Sequence, residues 1–179
     1  MNARLCPLLL LSASACATAN AANTPPQHAA AKATAQAPRF EVDGSLVELA
    51  ATCRPAELPQ ANALDDDCDG AVDGQPATGA TVTLAFPRAA ALRIVLQGPD
   101  GVRTVDASCP EAASVCTARV TAEALPSGRH ELRVESVASA DARPTSVAVS
   151  KSGEGEVRTY LAELTQPGET RALGTLVRE

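Results

Sequence analysis

The sequence predicts an all-β protein: an antiparallel β-sandwich, jelly-roll or Ig-like, of seven to eight short strands with a disulfide-stapled acidic loop. Three observations predict it. From residue 80 onward, apolar and polar residues alternate with period two. The alternating runs are punctuated by Gly- and Pro-containing turns at regular intervals. No stretch repeats its apolar residues at helical spacing. Composition agrees: hydrophobic content is 45%, but aromatics are 2%, so the core must come from Val, Leu, Ile and Ala, which suits thin packed sheets.

The chain opens "MNARLCPLLLLSASAC", with one positive charge at Arg4, an apolar run at Leu8–Leu11 and then small residues. That is the layout of a secretory signal, too short to span a bilayer. We assign 1–15 to it. "ASAC" at 13–16 resembles the lipobox of bacterial lipoproteins, in which the Cys becomes the lipidated first residue. The resemblance implies lipidation at Cys16, a membrane partner through that anchor and, since Ala17 follows rather than Asp, the outer membrane. Ordinary cleavage at the Ala-x-Ala sites 13–15, 17–19 or 19–21 would instead give a periplasmic or secreted protein. Residues 16–38 are Ala-, Thr- and Pro-rich without apolar periodicity and read as a disordered tether, with His28 solvated.

The body begins at 39. Residues 39–76 hold "RFEV" and "LVEL", which supply a first strand, and then the acidic loop; 77–179 form the sandwich. "ATVTLAF" places Val82, Leu84 and Phe86 on one face. "ALRIVLQGPDG" turns Leu92, Ile94 and Leu96 inward and ends in a turn at Gly98–Gly101. "CTARVTA" presents Ala118 and Val120; "PSGRHELRVESV" turns at Ser127-Gly128 and sets His130, Leu132 and Val134 against Arg129, Arg133 and Glu135. "TSVAVSK" presents Val147 and Val149, and "VRTYLAEL" and "RALGTLVRE" flank a turn at Pro167-Gly168. The stretch from "LRIVLQGPDG" to "LPSGRHELRVESV" resembles bacterial pre-peptidase C-terminal domains and similar jelly-roll modules, which are accessory rather than catalytic.

Of six Cys, Cys6 falls in the signal and Cys16 is the lipidation candidate. Cys53, Cys68, Cys109 and Cys116 remain, an even number in an exported chain, which points to two disulfides. Three connectivities are possible; the local pairs Cys53–Cys68 and Cys109–Cys116 are favoured, because the second brackets a short segment between two strand-like runs. Each would stabilise by roughly 2–3 kcal/mol. With no Cys-x-x-Cys, a cysteine metal site is the weaker reading.

The loop "LDDDCDGAVDG" at 64–74 packs five aspartates into nine residues, and no Lys or Arg occurs between Arg54 and Arg88. Numbered from Asp65, aspartates fall at positions 1, 3, 5 and 9 (Asp65, Asp67, Asp69, Asp73), with Gly70 at 6. Calcium takes six to eight hard oxygens. Alternate residues of a tight loop aim at one centre, Gly70 permits the turn, and the Ala71 carbonyl and Asp73 can complete the set. Val72 should face the core and Asp66 should face solvent. Position 12 is Pro76, and Pro55, Pro59 and Pro76 surround the loop, so an EF-hand is rejected. A solvated Asp/Gly turn is the alternative. The stretch resembles thrombospondin type 3 calcium repeats and, more closely, the MopE-type metal-binding motif, carried here by "CRPAELPQANALDDDCDGAVDG", Cys53–Gly74. The resemblance implies an envelope or surface protein with a metal loop, without implying an activity. Hard oxygen ligands and the absence of Trp favour calcium over copper.

A formal charge of −6, with no basic patch and no aromatic interleaving, argues against nucleic acid as a partner. G-x-S-x-G, S-x-x-K and H-E-x-x-H are absent, and His130 alone in the folded region gives no nucleophile–base arrangement. The expectation is a non-enzymatic cell-envelope lipoprotein with a calcium-binding loop and a structural or adhesive role. The alternative is a secreted module that binds a protein or glycan through a cation-ordered loop.

Overall fold

In a computed structural model the described residues are 36–56, 58, 62–76, 79–137, 143–153 and 156–179. The signal segment, Cys16, His28 and the tether up to residue 35 lie outside them. The body is all-β, built from two five-stranded antiparallel sheets. Its strands are β1 (Arg39–Val42), β2 (Val47–Glu48), β3 (Ala71–Val72), β4 (Gln75–Pro76), β5 (Thr81–Pro87), β6 (Leu92–Gly98), β7 (Gly101–Val105), β8 (Val115–Thr121), β9 (Gly128–Ser136), β10 (Thr145–Gly153), β11 (Glu156–Leu164) and β12 (Thr170–Arg178). Sheet A runs β1-β12-β9-β6-β7 and sheet B runs β2-β11-β10-β5-β8; β3 and β4 form a separate hairpin.

The alternation read from the sequence sets the inner faces. Phe40, Ile94, Leu96, Leu132, Val134, Leu173 and Leu176 of sheet A meet Val82, Leu84, Phe86, Val120, Val147, Val149, Ala162 and Leu164 of sheet B in one buried core. Tyr160 joins them at 9% exposure, so two phenylalanines and one tyrosine supply all the aromatic bulk. The short 39–48 segment serves both layers: β1 pairs with β12, while β2 pairs with β11 across the sandwich. Asp43 fastens the crossing, accepting from the Ser45 backbone N–H at 2.9 Å and from the Ser45 hydroxyl.

The Gly98–Gly101 turn closes a β6–β7 hairpin, as its residues predict. His130 lies on the buried face of β9 with Leu132 and Val134. At 3% exposure it is buried, its Nε2 lies 2.9 Å from the Pro126 carbonyl, and its ring lies where a Cβ on Gly98 would fall. β12 carries a bulge between Ala172 and Gly174. Gly174 there adopts φ +149, and a Cβ would stand 2.3 Å from the Glu41 carbonyl and 2.6 Å from the Phe40 ring, so only glycine fits.

β5 departs from simple alternation. Its inward residues are buried, but so are Thr81, Thr83 and Ala85 on the opposite face. The reason is a third, thin layer. Ala63 and Val72 of the acidic segment pack on Ala85, with Val115, Ala148 and Val157 around them, covering the outer face of sheet B.

Candidate metal site

The acidic segment folds around its own backbone. Cys53 is bonded to Cys68 and Cys109 to Cys116, the two local pairs. The first bond holds the segment's middle against residues 53–54, where the Arg54 N–H donates to the Asp66 carbonyl at 2.6 Å. Val72 is 2% exposed and anchors the segment in the small outer core, as expected. Its burial is worth about 1.5–3 kcal/mol. The Ser150 hydroxyl of β10 donates to the Ala63 carbonyl, and Arg119 of β8 donates to the Gln75 Oε1 at 2.7 Å and the Pro76 carbonyl at 3.0 Å. Local sequence around the loop has no cation; the fold supplies Arg119 from a strand more than forty residues away.

Asp65, Asp67 and Asp69 come together: one oxygen from each lies within 4.8 Å of the others, with Asp65 and Asp67 half-buried and Asp69 exposed. Among the described residues this is a group that could hold a metal ion. Backbone N–H groups orient it. Asp65 Oδ1 accepts from Asp69 at 3.1 Å and Oδ2 from Gly70 at 3.1 Å; Asp67 Oδ1 accepts from Asp69 at 3.3 Å; Asp69 Oδ1 accepts from Ala71 at 2.7 Å. The alternate spacing therefore does what the chemistry requires, turning three carboxylates inward on one small ring of amides. Gly70 makes the turn at φ +86, and Cys68 beside it sits at φ +60. Three carboxylates at that separation repel one another, and a bound metal ion would relieve that repulsion.

Asp73 and Asp66 stand elsewhere. The Asp73 carboxylate accepts from the backbone N–H of Asn62 at 2.7 Å and of Ala63 at 3.2 Å, eleven and ten residues back. Burial pushes its pKa up, the two N–H groups oppose that, and the neighbouring Asp66 charge adds to the rise. Asp73 and Gly74, at φ +52 and +67, are the central pair of the β3–β4 hairpin, the Asp-Gly pairing that a tight two-residue turn prefers. Ala71 lies on β3, buried. Asp66 does not face solvent as the spacing suggests. It is 6% exposed, and its Oδ2 accepts from Asn62 Nδ2 at 2.8 Å, which draws it beneath the loop.

Asn62, which the site residues read from the sequence did not include, organises the segment. Its amide oxygen accepts from the Leu64 N–H at 2.8 Å, its amide nitrogen donates to Asp66, and its backbone donates to Asp73. The signal was an Asn three residues before the first aspartate, a residue type that fixes turns by such local bonds. Beside Asp65 and Asp66 opens a cleft of about 620 Å³, walled by Leu49–Thr52 and by Glu156–Thr159 of β11. No known family, curated protein or solved structure matches this chain.

Proposed function

We propose that the protein is a non-enzymatic cell-envelope lipoprotein, anchored through Cys16, whose Asp65/Asp67/Asp69 group binds calcium to harden a loop docked on the sandwich, with a structural or adhesive role. The observation that carries the metal reading is the convergence of three carboxylates, one oxygen of each within 4.8 Å of the others, two of them sharing the Asp69 N–H. Oxygen-only donors favour calcium or magnesium over softer metals. The two disulfides fit an exported, oxidising setting. Affinity should fall near the extracellular-module range, on the order of 10⁻⁴–10⁻³ M.

Calorimetric titration of the oxidised protein with Ca²⁺, with melting followed in parallel, tests the metal reading. At a hundredfold excess over Kd the fold should gain about 2.7 kcal/mol. The paired substitutions Asp65→Asn and Asp67→Asn should abolish both heat and shift. No heat and no shift at several-millimolar Ca²⁺ (the weak end of that range) overturns it. Mass spectrometry of the mature N-terminus tests the anchor: an acylated Cys16 supports it, a free Ala or Asn start removes it.

The cleft beside Asp65 favours a second reading, a secreted module that binds a protein or glycan next to a cation-ordered loop. A free N-terminus together with calcium-dependent retention on immobilised glycans or matrix proteins would select it.

A further inference from the structure

We propose that the Cys53–Cys68 bond is a reducible clasp: opened by a dithiol, it frees the 62–76 layer from sheet B while the two-sheet core and the Cys109–Cys116 bond stay intact. This goes beyond the calcium reading and does not depend on it. The two disulfides sit in different places. Cys53, Cys68 and Cys109 are exposed, whereas Cys116 is 1% exposed and lies in the main core opposite Phe86. Attack at the open Cys109 sulfur would expel the Cys116 thiolate into the apolar core, where a thiolate is disfavoured, whereas either sulfur of the Cys53–Cys68 bond can be attacked while the other leaves into water, so the Cys53–Cys68 bond reacts first.

What the first bond holds is thinly attached. The outer core has three buried residues, Ala63, Val72 and Ala85, against twenty-one in the main core. Among the described residues, polar ties to sheet B run from Ser150 to Ala63 and from Arg119 to Gln75 and Pro76. Closing a fifteen-residue span removes loop-closure entropy from the opened segment, a large contribution for so small an interface. Cys68 also sits at φ +60, a conformation non-glycine residues adopt only when held, and Asp67 and Asp69 on either side repel each other. Loss of the sulfur link lets all of this relax together.

The step balances. One thiolate of the dithiol attacks a sulfur of the Cys53–Cys68 bond and forms a mixed disulfide. The second thiolate closes the reagent's ring. Two electrons and two protons pass from the dithiol to the pair, which ends as two thiols.

The full chain is treated with graded dithiothreitol at high salt, which screens the carboxylates beside Cys68 from the anionic reagent. Samples are quenched by alkylation, mapped by mass spectrometry and probed by hydrogen exchange. Cys53 and Cys68 should be alkylated at least about tenfold faster than Cys109 and Cys116. The singly reduced species should lose protection at Ala71, Val72 and Gln75 and keep it at Leu132, Val134 and Leu176. The C53S/C68S variant, which never forms the clasp, should show the same pattern. Equal or slower labelling of Cys53 and Cys68, unchanged protection in the 71–75 hairpin, or loss of protection throughout the core in either species would each overturn the proposal.

Discussion

The Ser150 hydroxyl, at the centre of β10, donates to the carbonyl of Ala63, eighty-seven residues earlier, and also lies 2.8 Å from the Thr159 hydroxyl on β11. One buried side chain thus ties the acidic layer to two strands of sheet B. Replacing it with alanine strands the Ala63 carbonyl in a closed interface. Ser150→Ala should cost about 1–3 kcal/mol, read from urea unfolding, with hydrogen-exchange protection falling first in β3 and β4. A cost confined to the sheets would show that the bond does not hold the layer.

Thr83 lies next to Ser150 across the β5–β10 pairing, and its hydroxyl is buried without a partner. A valine fills the same volume without a hydroxyl to desolvate. Thr83→Val should raise stability by about 1 kcal/mol; a melting temperature that falls instead would mean the hydroxyl is hydrogen-bonded in solution.

Asp73 acts here through its acceptors, so the isosteric and truncating substitutions should diverge. Asn keeps an oxygen for the Asn62 and Ala63 N–H groups; Ala removes both acceptors. Asp73→Ala should cost about 1–2 kcal/mol and Asp73→Asn much less, by denaturant titration in chelator. Equal losses would assign the residue's role to its charge.

The pH dependence turns on Asp43. The Ser45 hydroxyl first, then the Ser45 N–H and the Arg171 charge, hold its pKa below the ordinary 3.8. A folded value under the unfolded one means that its stabilisation is complete above 3.8 and drains away as pH falls through the folded value. Glu41, held low chiefly by Arg129, acts with the same sign below 4.5. In chelator, melting temperature should therefore fall with acid below these values, against the opposite pull of Asp73, whose pKa burial raises, and Asp43→Asn should make that fall shallower. An unchanged slope would remove Asp43 from the account.

Gly174→Ala tests the bulge of β12. The added carbon meets the Glu41 carbonyl and the Phe40 ring at a backbone angle that L side chains avoid. Strain and overpacking together should cost about 2–4 kcal/mol, seen in thermal melts; a near-neutral result would mean that β1 gives way.

Much of this architecture could be read from the chain because alternation is a local signal. Leu92, Ile94 and Leu96, or His130, Leu132 and Val134, declare their inner face without reference to any partner. β7 stayed hidden for the opposite reason: Gly101–Thr104 are exposed on an edge strand, so neither face carries an apolar stripe. The inward turn of Asp65, Asp67 and Asp69 was legible because spacing and Gly70 fix it. What covers sheet B was not. Ser150, Arg119 and Ala85 reach the loop from far along the chain, and short side chains such as Thr83 and Ala148 do not announce burial. Asp73 was read as part of a cation pattern, although "DG" between Val72 and Gln75 is equally a turn signal, and its carboxylate serves the backbone of Asn62 and Ala63.

The pairing of Arg39 with Val177, and of Val47 with Leu161, has a temporal consequence. Each sheet takes an outermost strand from the beginning of the body and its neighbour from the end. A polypeptide emerging N-terminus first from a ribosome cannot seat β1 until β12 is out, nor β2 until β11 is out. Strand order thus places the seating of these two edge strands among the late events of folding, after the pairs that join β5 with β8 and β6 with β9 can have formed.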